Sequence, residues 1–277
     1  VIINLTIAGA YIESGIGGEN WDEGTGVLAG QLRSDSKVNN VHVSGYIEQP
    51  QRDVGTGGLI GIAENVSFTP ISAEITNSSA DVDITAEQSS RVGGLIGKTS
   101  IDETTGTLSD SYATGDIVAE NGIGGLVGDP YGGTFENNYA TGDVSGNEDI
   151  GGLIGDASNV NLNKAYAVGN VTGDSNHVGG LIGSLSGGGS VQDSYWDIES
   201  TGQSNGFGQF GSGDVTGLTT AEMTGTDADT NLGGFDFTTT WVTNPVTESN
   251  GYSWQYPTLT NNTQTPPPSQ SLYAGGD

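Results

Sequence analysis

Apolar residues along this chain come in short bursts. Each burst is two to five residues long and is bounded by Gly, Asn, Asp, Ser or Thr. One burst reads GGL(I/V)G and starts at Gly57, Gly93, Gly124, Gly151 and Gly179, with a degenerate copy, GVLAG, at Gly26. The steps between successive copies are 31, 36, 31, 27 and 28 residues. A second burst alternates apolar and polar positions. It reads SYATGDI from Ser111, NYATGDV from Asn138 and AYAVGNV from Ala165, with weaker forms VHVSGYI from Val41 and SADVDI from Ser79. Both bursts have strand length and strand composition, and turn residues lie between them. No stretch sustains the i, i+3, i+4, i+7 apolar spacing of a helix.

A fixed period of about 30 residues is the signature of stacked repeats, each burying its apolar face against the next. The pattern predicts an all-β fold, a β-solenoid of about six coils over residues 1–190. Strand spacing of about 4.8 Å then gives a rise of roughly 25–30 Å. Three glycines of each motif copy are assigned structural roles: Gly57, Gly58 and Gly61; Gly93, Gly94 and Gly97; Gly124, Gly125 and Gly128; Gly151, Gly152 and Gly155; Gly179, Gly180 and Gly183. Their expected service is twofold, positive φ at corners and close approach of backbones. A phosphate-cradling role is set aside, because no GxxxxGK(S/T) and no helix accompany the glycines.

After residue 190 the pattern changes. Residues 191–259 hold ten of the aromatic residues, from Tyr195 and Trp196 to Trp254 and Tyr256. This section is read as a C-terminal capping module whose rings fill its core; sugar stacking by Tyr195, Trp196, Trp241 and Trp254 is the competing reading. LTTAEMTG predicts one short helix with Thr219 or Thr220 as N-cap and Glu222 in the first turn. Residues 260–277, with prolines at 266–268, read as a linker or the start of another module.

The two bursts together, GGL(I/V)G with YATGDV between, resemble the GLUG-motif repeats of bacterial and archaeal surface proteins. The tail phrases SYWDIESTGQS, GLTTAEMTG, GFDFTTTW and WQYPTL are similar to the closing module that follows such repeats, and LYAGGD at the end resembles the opening of a further one. The resemblance covers roughly residues 20–260. It implies an extracellular, adhesin-like or cell-envelope protein and carries no catalytic mechanism with it. The first two units depart from the pattern by lacking YATG.

Charge narrows the partners. Formal net charge is −28, from 34 acidic and 6 basic residues. Phosphate backbones and anionic membranes need a basic surface, so nucleic acid is excluded as an expected partner and no membrane insertion is expected. No run of about 20 apolar residues exists to span a bilayer. Such charge repels itself at low ionic strength and is screened at molar salt, where the Debye length is about 3 Å. The chain therefore reads as adapted to high salt, and as haloarchaeal. There are no cysteines, which excludes disulfides. The opening VIINLTIAG is already strand-like, and the chain is expected to be a mature or excised piece of something longer.

Candidate chemistry is sparse. Calcium candidates are Asp143 and Asp149 in GDVSGNED, and Asp227 and Asp229 in GTDADTN; neither segment matches a known calcium loop. No other cofactor is expected. His42 replaces the Tyr of the second burst and is expected to face the stack. His177 sits in a turn and is expected to be solvated. With no cysteine and two separated histidines, the sequence points away from zinc. N-x-S/T sequons mark Asn4, Asn65, Asn77, Asn170 and Asn261 as glycosylation candidates. The leading expectation is a non-enzymatic stalk, adhesin or filament subunit whose partners are neighbouring copies, other envelope proteins or surface glycans. A haloarchaeal virus tail fibre is the alternative, and a polysaccharide-acting β-helix enzyme a second. The strand VIINLTIAGAYI is read either as the first coil of the solenoid or as an edge added to a neighbour.

Overall fold

The computed structural model describes residues 1–13, 24–50, 55–64, 71–102, 105–243, 253–262 and 269–271. The chain winds into a β-solenoid whose coil-to-coil pairings are all parallel. Strands Ala29–Leu32, Ile60–Ala63, Ile96–Ser100, Val127–Tyr131, Ile154–Ser158, Ile182–Ser186 and Phe207–Gln209 form one seven-stranded sheet in chain order. The rest of each coil belongs to an 18-stranded sheet that begins at Ile2–Glu13 and ends at Val215–Leu218. This makes seven coils and one further strand. The seventh coil has no GGL(I/V)G, but Phe207 pairs with Ile182 in the register of that motif. Stacking thus continues past residue 190, through Ser194–Asp197 onto Val215–Leu218.

The register places like on like. Ile123 pairs with Ile150 and Gly124 with Gly151; Tyr112 pairs with Tyr139, and Tyr139 with Tyr166. The motif leucines Leu59, Leu95, Leu126, Leu153 and Leu181 are fully buried and linked by N–H···O=C bonds of 2.9 Å from each to the next. This column is the spine of a narrow core that also contains Ile47, Ile84, Ile117, Val144 and Val171.

The motif glycines serve close approach and not positive φ. None of the fifteen lies in the left-handed region. A Cβ on Gly125 would stand 2.1 Å from the Gly152 carbonyl oxygen and 2.8 Å from the Ala140 Cβ. The same clash with an Ala recurs at Gly58 with Ala80, Gly94 with Ala113 and Gly152 with Ala167. The second Gly of GGL(I/V)G therefore faces the Ala of YATG across the core, so one motif explains the other. In the seventh coil that Ala becomes Trp196, in register with Ala167. Its ring lies over Gly180 and Gly206, and its N–H donates to the Gln203 carbonyl at 2.9 Å. The inner core ends on this indole.

Positive φ appears at a corner the sequence reading passed over. Asn4, Asn40, Asn77, Asp110, Asn137, Lys164 and Asp193, one per coil, have φ between 44° and 55°. Asn and Asp tolerate this region better than other non-glycine residues. The residue after the corner returns a polar group to the backbone: Ser78 Oγ accepts from Val41 N, Ser111 Oγ from Ser78 N, and Asn138 Oδ1 from Ser111 N, at 3.1–3.2 Å.

Candidate functional site

The tyrosines of YATG point out of the coil. Tyr112, Tyr139 and Tyr166 stack with centroids 4.8 and 5.0 Å apart. The C-terminal module lies over them and forms a second core. In it Trp241 packs on Tyr139 and Tyr166, Phe235 on Tyr195 and Trp241, and Met223, Leu232, Tyr256 and Leu259 fill the remainder. The module is pinned along its length. Tyr166 OH donates to the Pro257 carbonyl at 2.6 Å, Tyr195 OH to the Gly233 carbonyl at 2.7 Å, and Asn262 Nδ2 to the carbonyls of Ser78 at 3.2 Å and Asp110 at 2.9 Å. Burial raises the Tyr166 and Tyr256 hydroxyls well above the ordinary tyrosine range. Tyr195, Trp196 and Trp241, the described members of the sugar-stacking set, are thus buried core groups. Trp254 and Tyr252 have side chains outside the described residues.

Helix Thr220–Met223 begins as its sequence implies. Thr219 is the N-cap, and its hydroxyl and the Glu222 carboxylate close a capping box. The buried Asp197 caps helix Ile198–Thr201, accepting from Glu199 N and Ser200 N, and it also accepts from Thr220 Oγ1 and Tyr256 OH. One carboxylate thereby joins coil seven to the module.

His42 does occupy the tyrosine register, pairing in line with Ser79, which pairs with Tyr112. That column faces outward, so His42 is not in the inner core. It is half-buried, bonded to Ser79 Oγ at 2.8 Å and Asn40 Oδ1 at 3.0 Å, and its pKa is lowered by burial.

The acids sort into distinct settings. Asp83, Asp116 and Asp143 form a ladder: the backbone N–H of Asp116 donates to Asp83, that of Asp143 to Asp116 and that of Asn170 to Asp143, at 2.7–3.0 Å. Burial raises the Asp116 pKa, the Asp143 N–H bond opposes this, and the Asp143 and Asp83 charges add to it. Asp129 is raised by burial, which outweighs its ion pair with Arg91 at 2.7 Å. Lys98 is paired with the buried Glu64 at 2.9 Å. Of the calcium candidates, Asp143 belongs to the ladder, Asp227 and Asp229 are exposed around helix Ala228–Asn231, and Asp149 stands elsewhere.

Asp149 meets Glu148 and His177. His177 Nδ1 lies 3.0 Å from Glu148 Oε1 and 3.2 Å from Asp149 Oδ1, with the imidazole 20% exposed. The expectation of a solvated His177 fails because the register places residue 177 directly beside residue 149 in the next coil.

Among the sequons, Asn170 and Asn261 are exposed, and Asn170 Nδ2 bonds its own Thr172 hydroxyl at 3.0 Å. Asn4 and Asn77 belong to the left-handed corner column, Asn4 exposed and Asn77 half-buried. Asn65, and the linker positions 263–268 and 272–277, lie outside the described residues.

Against known families, the GLUG motif matches residues 88–118. These residues hold one GGLIG, its following strand and one SYATGDI. One copy of the repeat thus matches the GLUG motif. The neighbouring copies lie in register with the matched one, since Gly93 pairs with Gly124 and Gly124 with Gly151. Halomucin of Haloquadratum walsbyi is 37% identical over 97 residues, a stretch that spans 33% of this chain and 1% of halomucin. No solved structure matches. Among the described residues no helix is long and apolar enough to cross a membrane.

Proposed function

We propose that this GLUG-repeat chain is a non-enzymatic, extracellular structural module of a halophile's cell surface, acting as a stiff spacer and display surface. The observation that carries this reading is the parallel stack, its described strands bonded coil to coil between residues 2 and 218 and braced along one side by a second core. Seven coils at about 4.8 Å rise roughly 30 Å. The net charge of −28 suits a surface bathed in concentrated salt. Likeness to halomucin, a protein of a halophile, supports the setting.

Strand Ile2–Glu13 stacks in parallel on Lys37–Glu48, and Ile3, Leu5 and Tyr11 on it are 57, 36 and 62% exposed. The test is immunogold labelling of intact cells of a haloarchaeal host expressing the parent protein, with antibodies against this module. Labelling of the outer envelope is expected. Labelling confined to permeabilised cells would overturn the proposal.

A further inference from the structure

The Glu148, Asp149 and His177 cluster has a composition that the fold does not ask for. The equivalent positions on the neighbouring coils are Ser90 and Arg91, then Asn121 and Gly122, so the strand forms equally well without acids there. Among the described residues, three metal-ligating side chains occur together only where two adjacent coils, the fifth and the sixth, meet. Their donor atoms all lie within 4.8 Å of one another.

The two donor distances from the imidazole are close to those between ligands of one ion. A tetrahedral zinc with bonds of about 2.1 Å has ligand-to-ligand edges of about 3.4 Å. His177 Nδ1 stands 3.0 Å from one carboxylate oxygen and 3.2 Å from the other. Nδ1 carries one proton at most and cannot serve both anions in full. Asp156 adds further negative charge at Asp149. The side chains are 50, 26 and 20% exposed, in chain order, which leaves solvent access for a fourth ligand. Imidazole with two carboxylates suits zinc and its divalent first-row neighbours, whereas calcium and magnesium gain little from the nitrogen.

We propose that Glu148, Asp149 and His177 bind a divalent transition-metal ion, through Nδ1 and one oxygen from each carboxylate, and so clip the fifth coil to the sixth. The site uses one of the calcium candidates, Asp149, but selects a different class of ion. It stands independently of the surface role proposed above.

The test uses the whole chain in molar KCl, with excess Mg2+ to occupy scattered carboxylates. The sequence has two histidines, so His42 is an internal control. Substoichiometric Co2+ is expected to broaden the ring signals of His177 in proton NMR and leave those of His42 sharp. Zn2+ titrated calorimetrically is expected to bind at one site per chain, with affinity lowered at least tenfold by His177→Ala and unchanged by His42→Ala. The proposal is overturned if Co2+ broadens neither histidine or both alike, or if Zn2+ binds His177→Ala as tightly as the natural chain.

Discussion

Replacing Gly125 with Ala tests the reason for the repeat. The new Cβ would sit 2.1 Å from the Gly152 oxygen, where ordinary contact begins at 3.4 Å, and 2.8 Å from the Ala140 Cβ. Neither neighbour is the end of a flexible side chain. Relief therefore requires the fourth and fifth coils to separate locally by about an ångström against a spacing of about 4.8 Å. The bonds nearest the strain are Gly125 N to the Gly151 carbonyl at 3.3 Å and Leu126 N to the Leu153 carbonyl at 2.9 Å. Overpacking a core costs about 1–3 kcal/mol, and two weakened backbone bonds add about as much, giving about 2–6 kcal/mol. The assay is equilibrium urea unfolding in molar KCl, urea being preferred because guanidinium would itself change the ionic strength. Gly188→Ala is the control, since its Cβ would meet nothing nearer than Asn159 Oδ1 at 3.8 Å; it should change stability by less than about 0.5 kcal/mol. A Gly125→Ala protein as stable as the control would refute close approach as the reason for the paired glycines.

Trp241→Ala, which empties the centre of the second core, should cost about 3–5 kcal/mol, and limited proteolysis should then cut first within the C-terminal module while the coils persist. Lys98→Ala strands Glu64, whose side chain is 7% exposed, and should cost about 3–5 kcal/mol; Lys37→Ala breaks a pair with both side chains about half exposed and should cost at most about 1 kcal/mol, so equal urea midpoints for the two would contradict the burial. Asp116 and Asp129 have folded pKa values raised above the unfolded reference of about 3.9. The folded state therefore holds their protons more tightly, and the stability they contribute is complete below that reference and lost as pH rises through the folded values. Burial lowers the His42 pKa and so acts in the opposite sense over the same range; in a His42→Ala background the urea midpoint at constant salt should accordingly be higher at pH 5 than at pH 7.5, and a lower midpoint at pH 5 would reverse the argument. Lowering KCl from molar to millimolar should reduce the midpoint through repulsion among the surplus acids.

Much of this architecture was legible in the sequence, because stacking puts like residues together and the motif therefore repeats. GGL(I/V)G and YATG mark two faces of one coil, and the capping box at Thr219 and Glu222 marks the short helix. The side cover was not legible, because it rests on contacts far apart in sequence: Asn262 reaches Ser78 across 184 residues. The cover's described contacts extend to the carbonyls of Ser78 and Asp110, and beyond Tyr112 the column continues as Ser79, His42 and Thr6. His177 and Asp149 are 28 residues apart, a separation that means proximity only once the coil length is known. The seventh coil was hidden because Trp196 and Phe207 replaced its small and aliphatic residues in order to close the stack.

The central claim is that successive repeats lie side by side in one register. The absence of cysteine makes it directly measurable by engineered pairs. Val118 pairs with Ser145, and Ser145 with Thr172, on three successive coils. Adjacent coils place Cα atoms about 4.8 Å apart and alternate coils about 9.6 Å apart, whereas a disulfide tolerates at most about 7 Å. Val118→Cys with Ser145→Cys is therefore predicted to oxidise to an intramolecular disulfide in the folded chain, and Val118→Cys with Thr172→Cys to remain reduced. Equal oxidation of both pairs, or of the second alone, would contradict the stack.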